Sequence, residues 1–507
     1  MIFDWKNFLF RLYLRVFYPP NFSADKSFRH QRIIFRRILR QLSKTELGKD
    51  LNVSAIKSYS DFRNTIPVTQ YDYYEKYIER IKAGHSKVMS TRKVKWFAKT
   101  AGTTSGKSKL VPITQQIMSK CHVRGSFFAL SMIHQLDKKM NLLGHKNLLI
   151  PGGIYETLPS GIIVGDISAI SVRNVPVIYR GYYVPEIDVQ TFPAWEEKIK
   201  KTVKQIKNED VGTMSGIPTW HLALLNKLKE EKPFEKLTDV WRNLQVFFHG
   251  GVSFEPYRKQ FIELVGKKDF NFFEVYNATE GFFGIQQNLQ STNLLLLTDN
   301  FIFYEFIPLE KFHTGDRNAL GLHEIKTEVP YVLLITAPNG LVRYMIGDVI
   351  TFQSLDPFTY KITGRTQEYI NAFGEDLLLS NVEKALMKTT HELDCAVRDF
   401  TVAPYYINLQ QKGRIQFAIE FSTPPSSVKT FETLLDENLK KENSNYLQKR
   451  YNDLALNCLE VIVLKPGTFY KWLASKNKLG GQNKIPRLVN GRSVIDEILA
   501  SCLPGNV

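Results

Sequence analysis

The sequence predicts an α/β protein in two parts: a large N-terminal part of mixed sheets and helices, residues 1–365, and a small α+β part, residues 366–507. Three observations carry this. Between residues 211 and 276, short apolar runs (211–218, 244–251, 272–276) alternate with helical patterns, which is how a partly parallel sheet reads in sequence. With 507 residues, 43% hydrophobic and 12% aromatic, the chain can build a large core and more than one domain. Beyond Gly364-Arg365-Thr366 the pattern changes to helix, strand, helix, strand (381–388, 414–421, 431–441, 459–464).

Residues 1–20 are aromatic-rich, but Lys6, Arg11 and Arg15 interrupt them, so no signal-peptide core or membrane span is expected. Such a segment fits a helix docked on the protein's own core, or a basic amphipathic helix in weak contact with a membrane surface. Residues 23–47 read as one helix stopped by Gly48, and 60–84 as two short helices split at Pro67. Residues 114–136 read as a helix capped by Thr114. Residues 147–170 bring strands and turns, 194–208 a lysine-rich helix, and 219–231 and 257–266 further helices. The runs 294–307 and 323–335 read as an antiparallel hairpin. The net charge of +17 is spread along the chain, which speaks for a solvated basic surface and against nucleic acid. Cys121, Cys395, Cys458 and Cys502 form no metal-ligand spacing, so a reducing, cytoplasmic setting is expected.

Five stretches carry chemistry. Residues 99–112 pack glycines, hydroxyls and lysines between two apolar runs, a composition suited to wrapping phosphate oxygens. Ala101 to Ser108 fits a relaxed Walker A pattern, but Pro112 would interrupt the helix that a P-loop lysine opens, so strand–loop–strand is expected. Tyr276-Asn277-Ala278-Thr279-Glu280-Gly281 follows a strand ending at Val275. Its aromatic can stack on a base and its carboxylate can hold Mg²⁺, or Tyr276 is core and Glu280 opens a helix. Gly347-Asp348 places a carboxylate at the tip of a strand, where it can take two ribose hydroxyls, or is an ordinary turn. Arg365, where the two parts meet, can clamp ribose or phosphate, with Thr366-Gln367 as hinge. Lys484, presented by Gly480-Gly481 before Pro486, can deliver a cation into a site, or belongs to a basic surface turn.

In order, these stretches resemble the adenylate-forming superfamily of acyl-CoA synthetases, luciferases and peptide synthetase adenylation domains. Residues 100–112, 211–220, 276–281 and 484–487, together with the 28–39 helix and residues 45–49, resemble more closely its auxin-responsive Gretchen Hagen branch, the acyl acid amido synthetases. The likeness spans nearly the whole chain. It implies a large adenylate-forming domain with a small mobile C-terminal lid. Thr103, Thr104, Ser105, Gly106 and Lys109 would face the ATP phosphates. Tyr276 would flank adenine, with Asn277, Ala278 and Thr279 beside it, and Glu280 would bind Mg²⁺. Asp348 would take the ribose hydroxyls, with Arg365 beside ribose and phosphate, and Lys484 would be the catalytic lid lysine. Asn277 and Ala278 depart from the small serines of the plant enzymes, and Gln367 from the charged hinge residue of the superfamily.

The expected reaction joins a carboxylic acid to an amine, that of an amino acid, through acyl-AMP with release of pyrophosphate. Coenzyme A as acceptor is the nearest rival, and a non-catalytic membrane-surface protein with a degenerate adenylating fold is the rival of another class. Tyr155, Met214 and Trp220 are the candidates for lining an acyl pocket.

Overall fold

The computed structural model describes residues 5–100, 109–192, 195–252, 254–268, 270–366, 369–375, 377–406, 412–450, 456–476 and 485–501. The chain opens with helices α1 (Trp5–Phe17) and α2 (Ala24–Leu42). Its strands are β1 (Val94–Thr100), β2 (Lys109–Thr114), β3 (Lys146–Leu149), β4 (Ile154–Thr157), β5 (Ile163–Gly165), β6 (Tyr183–Val184), β7 (Val211–Gly216), β8 (Val246–His249), β9 (Asn271–Ala278) and β10 (Gly281–Gln286). They continue as β11 (Leu294–Leu296), β12 (Phe303–Pro308), β13 (Pro330–Thr336), β14 (Tyr344–Leu355), β15 (Phe358–Arg365), β16 (Tyr369–Ile370), β17 (Leu377–Leu378), β18 (Ala396–Tyr405), β19 (Arg414–Thr423) and β20 (Glu460–Leu464).

An 11-stranded sheet runs β12-β13-β14-β15-β11-β10-β9-β8-β7-β3-β6. From β9 to β6 the strands are parallel, and from β9 to β12 they are antiparallel. β9 is therefore the seam between the two halves. The parallel half is interleaved with the helices Trp195–Ile206, Pro218–Glu231 and Glu255–Val265, so apolar residues cover it and strands such as Val246–His249 are buried throughout. A second sheet, β2-β1-β5-β4, stands apart, and β18-β19-β20 form a third near the C-terminus. One apolar cluster continues from the parallel half (Phe247, Phe261, Trp241) into residues 370–488 (Phe373, Phe417, Leu435).

Several expectations shift. The 23–47 helix is two helices. α2 ends at Leu42, and Thr45 caps a second, Glu46–Asp50, its hydroxyl accepting from the Gly48 N–H at 3.0 Å. Gly48 stops nothing. It lies inside that turn because a Cβ there would stand 1.8 Å from the Leu42 carbonyl oxygen. The hairpin of 294–335 is β12 with β13 alone, while Leu294–Leu296 pairs with β10 and β15. The strand expected to end at Val275 runs on to Ala278, and the one expected to end at Gly347-Asp348 runs on to Leu355. Thr114 does cap the predicted helix, its hydroxyl accepting from Ile117 N–H, although after one short α-helical turn, Gln115–Ile117, the chain winds as a π-helix, Met118–Val123, before the α-helix Arg124–Leu136.

Candidate active site

Four parallel strands end at one place. β3 leads into Ile150 and Gly152, β7 ends at Ser215 and Gly216, β8 at His249 and Gly250, and β9 at Asn277 and Ala278. All of these line a cavity of about 1230 Å³. The carboxyl end of parallel strands is where an open α/β sheet leaves a crevice for ligands.

The antiparallel half supplies the opposite wall. β9 and β10 form a hairpin in which Ala278 pairs with Gly281, so Thr279 and Glu280 are its two-residue tip, directed at the cavity. Gly281 is packed so tightly that a Cβ would lie 2.4 Å from Ile302 Cδ1. β14 and β15 place Asp348 and Arg365 directly opposite each other. That register makes two separate motifs cross-strand neighbours. The Arg365 Nε–H donates to Asp348 Oδ1 at 2.5 Å, and the Tyr276 hydroxyl donates to the other carboxylate oxygen. Tyr276, Glu280, Asp348 and Arg365 thus share one wall.

Electrostatics follow from burial. Glu280 is 8% exposed, and desolvation raises its pKa against the pull of Lys109 and Arg365. Desolvation in turn lowers the pKa of Lys109, which Glu280 partly restores, and the ammonium stands 5.5 Å from the centre of the Tyr71 ring. Burial carries the Tyr276 phenol well above its usual range, with the Asp348 carboxylate adding to it. Among the described residues no group of three or more His, Cys, Asp and Glu gathers as a metal cage. Mg²⁺ needs none where one carboxylate, phosphate oxygens and waters complete its shell, and a cation beside Glu280 would offset the desolvation of that carboxylate.

The loop 101–108, with Thr103, Thr104, Ser105 and Gly106, and the lysine Lys484 lie outside the described residues. The loop's flanks are described: β1 and β2 are antiparallel, with Thr100 opposite Lys109. Lys109 to Thr114 being a strand leaves no room for the helix of a P-loop NTPase, and Thr100 lines the cavity.

The acyl-pocket candidates divide. Trp220 lines the cavity. Met214 does not: Thr213 and Ser215 face the cavity, so by the two-residue period of a strand Met214 points into the core, where it is fully buried. Tyr155 stands behind the wall. Its hydroxyl donates to Asp166 Oδ2 at 2.5 Å, and that oxygen also accepts from the Gly153 N–H at 2.8 Å.

Two cavity-lining histidines and one lysine buried behind the wall were not singled out from the sequence. His122, on the π-helical turn, has Nδ1 3.0 Å from Asn277 Oδ1, and burial lowers its pKa to about 4. His249 stacks on Phe254 at 4.0 Å between ring centres, its pKa lowered by burial to about 3. Lys198 is buried, donates to the Pro151 and Gly152 carbonyls at 2.9 and 2.7 Å, and has its pKa lowered to about 8 by desolvation. Its only signal is its place beside Ile199, Thr202 and Val203 on the inner face of a lysine-rich helix.

The sequence matches the GH3 family N-terminal domain over residues 24–188 and 162–270, the GH3 family central domain over 295–365 and the GH3 family C-terminal domain over 380–493. The chain belongs to the GH3 family. It is similar to the jasmonoyl–L-amino acid synthetase JAR4 of Nicotiana attenuata (23% identical, covering 92% of each chain). It is also similar to the probable indole-3-acetic acid-amido synthetase GH3.1 of Arabidopsis thaliana (21% identical, covering 92% of this chain and 90% of that one). Among solved structures, this GH3 chain shares its fold with the AtGH3.15 acyl acid amido synthetase in complex with 2,4-DB (TM-score 0.62, 16% identity, 97% and 96% covered). It shares it also with 2-hydroxyisobutyryl-CoA ligase in complex with 2-HIB-AMP and CoA (TM-score 0.58, 12% identity, 95% and 94% covered).

Proposed function

We propose that this GH3 chain is an ATP-dependent acyl acid amido synthetase. A carboxylate oxygen attacks the α-phosphorus of ATP, and the bond to pyrophosphate breaks, giving acyl-AMP. The amine of an amino acid then attacks the acyl carbon, the bond from that carbon to the bridging anhydride oxygen breaks, AMP leaves with that oxygen, and the amine's proton passes to solvent. The convergence of Tyr276, Glu280, Asp348 and Arg365 on one cavity wall carries this reading.

In this reading Asp348 takes the ribose hydroxyls and Arg365 holds that carboxylate in place while reaching toward phosphate. Tyr276 borders adenine, with Asn277, Ala278 and Thr279 beside it. Thr103, Thr104, Ser105, Gly106 and Lys109 face the phosphates. Glu280 would hold Mg²⁺, which when bound supplies charge neutralisation at the phosphates. Residues 366–507 act as the lid that brings Lys484 to the reacting phosphate. His122, neutral at physiological pH, fixes Asn277 at the end of β9. Positioning and fixed charge supply the rate, with no covalent enzyme intermediate.

The test is a pyrophosphate-release screen over carboxylic acids, with and without each amino acid and with coenzyme A. Release that requires an acid, with an amide as product, supports the proposal, whereas a thioester product replaces it with acyl-CoA ligation. Lys484→Ala is expected to cut acid-dependent pyrophosphate exchange at least about a hundredfold. Undiminished exchange would refute the role of that lysine.

A further inference from the structure

α1 is apolar on two opposite faces. Asn7, Phe10 and Leu14 are buried against the rest of the protein, with the Asn7 amide and the Arg11 guanidinium both donating to the Met140 carbonyl. Phe10 also lines the cavity, together with Phe127, Leu130, Leu142, Val172 and Val175, so the inner stripe of α1 closes an apolar part of it. Tyr13 packs edge-on against Phe127 at 6.0 Å. A helix docked in this way should present polar residues outward.

It does the reverse. Trp5, Leu9, Leu12 and Val16 are each between 50% and 60% exposed. At 100° per residue they fall within an arc of about 60°, opposite the buried stripe. Lys6 and Arg15, also exposed, lie about 90° to either side of the centre of that arc. The helix contains no acidic residue. An outward apolar ridge with tryptophan on it and a cation along each flank is the pattern of a helix lying in a lipid interface.

We propose that the outer face of α1 docks on an anionic lipid surface. The charges favour lipid over a second copy of this chain, since two such helices face to face would oppose cations to cations with no acid on either helix to pair with them. Docked so, Trp5, Leu9, Leu12 and Val16 enter the acyl boundary while Lys6 and Arg15 meet phosphates at its rim. No helix among the described residues is long and apolar enough to cross a membrane, so the contact is one of lying on the surface. The inference stands apart from the amide-forming reading, because vesicle binding needs neither nucleotide nor acid.

Flotation of the full chain with phosphatidylserine-containing and pure phosphatidylcholine vesicles tests it. The wild type is expected to float with the anionic vesicles, and Leu9→Glu/Leu12→Glu to lower the bound fraction at least about tenfold with the melting temperature kept. Lys6→Gln/Arg15→Gln, which removes no apolar contact, is expected to weaken binding to anionic vesicles about tenfold and leave binding to neutral vesicles unchanged. Failure of the wild type to float at low salt would overturn the proposal. So would equal flotation of the glutamate variant, or a dimer in light scattering that the glutamate variant dissolves.

Discussion

Two arginine–carboxylate pairs sit close together near the start of β14, and they are built for opposite purposes. Arg343, just before the strand, donates from Nε to Glu305 at 3.1 and 3.2 Å and from Nη1 to the Arg63 and Ile66 carbonyls at 2.8 and 2.5 Å. Its side chain is 3% exposed and that of Glu305 1%. This pair ties the 59–66 segment to the antiparallel half of the sheet. Asp348 and Arg365, 11% and 27% exposed, face the cavity instead. The first pair is enclosed by protein, and the second opens on space a ligand can fill. Burial and orientation, more than residue type, separate scaffold from site.

Substitutions can break that contrast. The largest effect is expected at Arg343→Leu, which removes the cation paired with Glu305 in the core. Unfolding free energy in urea should fall by about 3–5 kcal/mol. Asp348→Asn should instead lower kcat/KM for ATP about a hundredfold while the urea midpoint scarcely moves. A large loss of stability at Asp348 would make both pairs structural.

The next effect is on pH. His122 and His249 are held neutral by burial, with pKa values lowered from 6.5 to about 4 and about 3. Below pH 6.5 the unfolded chain binds protons there that the folded chain does not, so unfolding free energy falls as pH drops toward about 4. His122→Gln should make that slope shallower in urea titrations at stepped pH. The smallest effect is expected at Tyr276→Phe, which removes one donor from Asp348. About a tenfold fall in kcat/KM for ATP, with an unchanged melting temperature, is the expected outcome.

Much of this was legible in the sequence because it is local. Pro112 points to strand–loop–strand, Thr114 to a helix start, and the alternation of apolar runs with helical patterns between residues 211 and 276 to a partly parallel sheet. Local patterning also singled out Tyr276, Glu280, Asp348 and Arg365, although it set Tyr276 and Asp348 at strand ends whereas both lie within longer strands. Their meeting depends on the register of β14 with β15 and on the seam at β9, which no single stretch encodes. Met214 was assigned to the wrong face for want of that frame, since a strand read alone shows two faces without saying which is in. His122 and His249 carry no spacing signal, and Lys198 resembles its helix's solvent lysines until tertiary packing buries it. Gly48 misled because a glycine required by close packing looks the same as one that ends a helix.

The π-helical turn Met118–Val123 sets the phase of everything after it. One residue more than α-helical winding requires is accommodated there, between the Thr114 cap and the buried Phe128. Winding the same residues as regular α-helix would instead rotate Arg124–Leu136 by about 100° relative to its cap. Phe127 and Leu130 would leave the cavity wall, and His122 would lose its aim at Asn277. The length of this one turn thus works as an angular setting that brings the cavity's apolar wall and the β9 tip into the same chamber.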